Sequence, residues 1–129
     1  MNFPDFDWYP AENKAILAER YSYQTAIRDT VGAVSHCLLS RDGVLALSPG
    51  FVWDFASGAV DDPAMVYASL AHDSLYRLIR EGELDKKHRV DADKLFRELL
   101  KECGVGVFRR NYAYLAVRLL GGFHTKASK

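Results

Sequence analysis

The chain changes texture once, at Asp61-Asp62-Pro63, and that switch limits what it can fold into. Before it, apolar residues alternate or gather in short runs. After it, they recur at helical spacing almost to the end. Strands first and helices afterwards is α+β order, not the alternation of a parallel βαβ sheet. With 129 residues there is room for a single domain with its own core.

Residues 20–58 are the β-rich part. Tyr21–Ile27 alternates and carries aromatic and β-branched side chains, and Ala33–Leu39 reads as a second strand. Arg41-Asp42-Gly43 supplies a hairpin turn, with Gly43 free to take a positive φ. Val44–Leu47 begins a third strand, which Pro49-Gly50 interrupts before Phe51–Asp54 resumes the extended pattern. About three antiparallel strands are expected. Residues 1–19 are expected to lie over the core as an arm, with a short helix over Ala11–Glu19 that turns Ile16 and Leu17 inward.

Residues 62–121 are helical. Asp62 suits an N-cap and Pro63 the first helical position, so a helix should run from about Pro63 to Glu81 and stop near Gly82. A second runs from about Val90 to Cys103, with Gly104 as its stop. A third covers Val107–Leu120, where Phe108, Tyr112, Leu115 and Leu119 form an apolar stripe. Residues 122–129 are expected to be a flexible tail. The whole reads as a small sheet packed on a two- to three-helix core.

Seventeen basic residues balance seventeen acidic ones, so no global field draws the chain to nucleic acid or to an anionic membrane. A basic C-terminal segment (Arg109, Arg110, Arg118, His124, Lys126, Lys129) lacks the aromatic interleaving of a single-strand binder, and nucleic acid is not the expected partner. No apolar run approaches the roughly 18–20 residues of a membrane span. The N-terminus is acidic and lacks the basic region of a signal peptide. Cys37 and Cys103 have no CxxC spacing and read as free thiols of a reducing compartment, with a single disulfide between them as the alternative.

The residues with chemical promise lie on the first helix. At about 100° per residue, Met65, Ala68, Leu75, Leu78 and Ile79 share one apolar arc, and His72 falls inside it. Asp73 falls at the flank with Arg77 one turn on, while Tyr76 is one turn from both His72 and Asp73. An inward imidazole must satisfy its ring nitrogens, and Asp93 on the next helix is the best-placed carboxylate. Asp93 could equally serve the dipole of its own helix. Asp54 and Ser57, just before the first helix, are further site candidates with an ordinary turn role as the alternative, and Arg77 is another, with a solvated pairing to Asp73 as its alternative. A metal phosphohydrolase using His36 with His72 and Asp73 would need His36 on a helix, whereas it falls on an expected strand.

Three segments in order, Gly50–Gly58, His72–Arg77 and Ala92–Phe96, resemble a family of small uncharacterised phage and prophage proteins, domain of unknown function 1353. The resemblance covers roughly Tyr21 to Gly121. It implies a phage or prophage origin, a place in the host cytoplasm or the virion, and a phage or host protein as partner. His72-Asp73-x-x-Tyr76, with Asp93 opening the next helix, is also similar to the helix pair of the secreted phospholipases A2. That likeness implies His72 as general base on a water, Asp93 fixing its tautomer and bonded to Tyr76, and Asp73 as a calcium ligand in ester hydrolysis. The chain has neither the cysteines that flank such a helix nor a glycine-rich calcium loop. The alternative is a binding or structural module in which the same residues form a buried network.

Overall fold

The computed structural model describes residues 3–12, 14–54 and 62–121. Among these residues seven short strands precede three helices. Strands β1 (Phe6–Tyr9), β2 (Lys14–Leu17) and β7 (Val52–Asp54) form one antiparallel sheet with β2 in the middle. Strands β3 (Tyr21–Gln24), β4 (Gly32–Val34), β5 (Cys37–Leu39) and β6 (Val44–Leu47) form another, in the order β3-β6-β5-β4. Period-2 burial sets the register: Cys37, Leu39, Leu45 and Leu47 turn into the core while Leu38 faces out. Cys37 lies opposite Leu47 and Leu39 opposite Leu45.

The α+β class holds, but the single sheet of about three strands becomes two sheets of three and four. The helix expected over Ala11–Glu19 is replaced by a 3₁₀ turn at Pro10–Glu12 followed by β2. Pairing with β1 on one side and β7 on the other satisfies both edges of β2 and buries Ala15 and Leu17. The N-terminal arm thus becomes an edge strand. The expected strand Ala33–Leu39 is broken at Ser35-His36, where His36 takes a φ of 64° and folds β4 back on β5. The turn at Gly43 is as expected: its φ is 83°, and a Cβ would meet the carbonyl oxygens of Thr25 and Ile27 at 2.8 and 2.6 Å.

Helix α1 (Pro63–Arg80) is capped by Asp62, whose side chain accepts from the Ala64 N–H. Helix α2 spans Arg89–Glu102, and α3 spans Val107–Leu120. The first occupies the centre, packed on α2 and on strands of both sheets. Trp53 Nε1 of β7 donates to the Val66 carbonyl, and Tyr23 Oη of β3 donates to the Tyr67 carbonyl. These bonds tie the aromatic sheet faces to the first turns of α1, above a core that includes Phe51, Leu70, Leu75, Leu78 and Leu100. Among the described residues no helix is long and apolar enough to cross a membrane.

Candidate functional site

The site forms where α1 and α2 run side by side. His72 stacks near Phe96 and Tyr76 reaches Asp93, so advancing along α1 means retreating along α2. This antiparallel pairing brings together residues 21 apart in sequence. His72 Nε2 lies 2.7 Å from Asp93 Oδ1. Tyr76 Oη donates to the same oxygen at 2.5 Å. Asp93 Oδ2 accepts from Arg118 Nη1 of α3 at 2.8 Å, with Arg89 Nη1 3.6 Å away.

Asp93 is 0% exposed, so its charge has no water to lean on. Burial pushes its pKa upward, but hydrogen bonds from His72, Tyr76 and Arg118 outweigh that and hold it below the usual carboxylate value. An ionised carboxylate can only accept, which makes the His72 Nε2–H the donor. Among the described residues Nδ1 has no hydrogen-bond partner, and it is not a buried orphan. The His72 side chain keeps 14% of its surface exposed. Burial, and then the bond to the Asp93 carboxylate, raise the Tyr76 phenol well above its ordinary value, so it remains a donor.

Asp73 and Arg77 face the sheet. Arg77 Nη2 donates to the Val52 carbonyl at 2.5 Å and lies 3.4 Å from Asp73 Oδ2, while its guanidinium stacks 4.4 Å over the Phe51 ring. The guanidinium thus bridges a carboxylate and a strand carbonyl, the two donor types a calcium ion would take from this corner. Among the described residues no group of three or more His, Cys, Asp or Glu side chains is placed to hold a metal. The described donors therefore do not fit the calcium that the phospholipase likeness implies. A cavity of about 590 Å³ opens on this flank, lined by Ala33, Val34, Ser35, Arg77, Glu81 and Glu83, away from His72.

The remaining candidates are dispersed. Asp54 closes β7, its Cα opposite Lys14. Ser57 lies outside the described residues, as does the basic tail beyond Gly121. His36 sits in the β4–β5 turn with Nδ1 3.3 Å from Ser48 Oγ, far from the helix position a phosphohydrolase would require. Both cysteines are free thiols, and burial pushes the Cys37 thiol up to about 12. Arg118 and Gly121 carry no sequence signal for the site, yet both belong to it. Arg118 reads in sequence as part of a basic surface. A Cβ on Gly121 would overlap the Tyr76 hydroxyl, so glycine there lets α3 end against the cluster.

Fold and cluster together define a small α+β protein built on a helix pair that is pinned by a buried, ionised aspartate. A family model described as "Protein of unknown function (DUF1353)" matches residues 17–117, and the chain belongs to that family. No curated protein and no solved structure is detectably similar to it.

Proposed function

We propose that this is a phage- or prophage-encoded accessory protein in which His72 acts as the general base of an ester hydrolase. One observation carries the reading: Asp93 fixes the His72 Nε2–H, leaving the Nδ1 lone pair without a partner among the described residues, on a side chain that is 14% exposed. Nδ1 takes a proton from water as the water oxygen attacks the acyl carbon. The resulting imidazolium is stabilised by the Asp93 carboxylate, which remains ionised. That proton then passes to the departing alkoxide, giving acid and alcohol. Tyr76 and Arg118 are positioning residues, since both act through Asp93.

The test is hydrolysis of a short-chain phosphatidylcholine and a simple nitrophenyl ester by wild type and His72→Gln, with and without a chelator. Loss of about 10²-fold or more in the variant, with folding intact and no chelator effect, is expected. Equal rates in wild type and a folded His72→Gln protein would overturn the catalytic reading.

A second reading rests on the saturation of Asp93, whose two oxygens accept from three donors in full burial. In that case the cluster fixes three helices for a binding or virion role and performs no chemistry.

A further inference from the structure

The apolar stripe of α3 faces solvent. Phe108 is 90% exposed, Leu119 78%, Tyr112 77% and Leu115 57%, and no residue of α3 is buried. Its inner side reaches the body through the smaller Ala113 and Val117, so the helix holds its larger apolar side outward. The three spacings run 4, 3, 4, which places the four residues at successive d, a, d, a positions of two heptads. Such a stripe is narrow. It matches the seam between two paired helices rather than the broad face of a membrane-surface helix.

We infer that this seam joins two copies of the chain through antiparallel pairing of α3 about a two-fold axis. Three observations select a second copy. The 4, 3, 4 spacing reads the same in both directions, as an isologous antiparallel contact requires. Phe108 then meets Leu119 of the other copy and Tyr112 meets Leu115, so every layer pairs an aromatic with a leucine.

The flanking charges are the second observation. In this arrangement Arg109 falls opposite Ala116 and Arg118 opposite Asn111, and no like charges meet. Both arginines are also engaged within their own chain, Arg109 with Asp62 and Arg118 with Asp93, and Arg110 donates to the Val105 carbonyl. With its basic residues already paired, the face offers little to attract an acidic helix or an anionic membrane.

The third is area. Two aromatics and two leucines at this exposure amount to roughly 500 Å² per copy, near the upper end of patches on monomers. That is also close to one partner's share of a small specific interface, which points to a reversible dimer of micromolar strength.

Sedimentation equilibrium of the full chain, from about 1 to about 200 μM, tests this. The mass should rise toward twice the 14.5 kDa of one chain. Leu115→Lys with Leu119→Lys, both on the exposed face, should stay monomeric with an unchanged melting temperature. A wild type that remains monomeric throughout, or a double variant that associates as wild type does, would overturn the inference. Binding of anionic vesicles by a strictly monomeric wild type would reassign the face to membranes. Orientation is read by mixing Phe108→Cys and Leu119→Cys proteins in a Cys103→Ser background. Disulfides between the two variants are expected, and disulfides only within each variant would exclude the antiparallel arrangement.

Discussion

Asp93 is the residue on which the helical half depends. Its carboxylate has no exposure and accepts from side chains of α1 and α3 while sitting on α2. Removing the charge leaves Arg118 and Arg89 without the counter-ion they share among the described residues, and breaking a buried pair from one side is costly. Asp93→Asn should lower stability by about 3 kcal/mol in urea denaturation. In a double-mutant cycle, His72→Ala and Asp93→Ala should show coupling of at least about 1 kcal/mol, and additive small losses would dissolve the idea of a cooperative cluster. The pH dependence has a fixed sign. A carboxyl whose folded pKa lies below its unfolded value stabilises fully above about pH 4 and loses that contribution as pH falls through the folded value. Stability measured between pH 6 and 2 should therefore drop below about pH 4 in wild type, and less so in Asp93→Asn.

At the scale of elements, α1 succeeds because it is buried on most of its circumference. Leu70, Leu75 and Leu78 meet the core, Tyr67 meets the aromatic sheet, and His72 and Tyr76 meet α2. The helix α3 is its opposite, held to the body by polar anchors at its two ends and by a few half-buried small residues between. Gly121 is the tightest of its fits. Its φ of −59° suits any residue, so the requirement for glycine is purely steric. Gly121→Ala would press on the Tyr76 hydroxyl and lie 2.8 Å from Arg89 Nη1. The expected cost is about 1–3 kcal/mol, with a matching fall in melting temperature.

Across the whole molecule, the two sheets are joined less by each other than by what they both touch. Trp53 links the first sheet to α1 through packing and through its bond to the Val66 carbonyl. The Leu17 N–H bonds the Phe51 carbonyl and the Gly50 N–H bonds the Leu17 carbonyl, which closes β2 onto the segment entering β7. Trp53→Ala should cost about 3–5 kcal/mol, read as a lower denaturation midpoint in a single cooperative transition. Separate transitions for strands and helices would contradict one shared core.

The helical elements were readable because their signals are local. Asp62-Pro63, Gly82 and Gly104 mark ends by backbone chemistry, and the 3.6-residue period fills the spans between them. The turn at Gly43 was readable for the same reason, since only its positive φ was needed. The meeting of His72 with Asp93 was reachable too, because two amphipathic helices joined by a short connection have few ways to pack. Other features had no local signal. Lys14–Leu17 is a strand because β1 and β7 flank it, and the split at Ser35-His36 arises from pairing of β4 with β5. The regular stripe on α3 told that the helix is amphipathic, but not which side would find a partner. Sequence alone determined the helix ends, the order of strands and helices, and the inward turn of His72, all of which follow from neighbours along the chain. Tertiary structure alone decided the number of sheets, the place of Arg118 on Asp93 and the outward stripe of α3, because each depends on surfaces that only folding brings together.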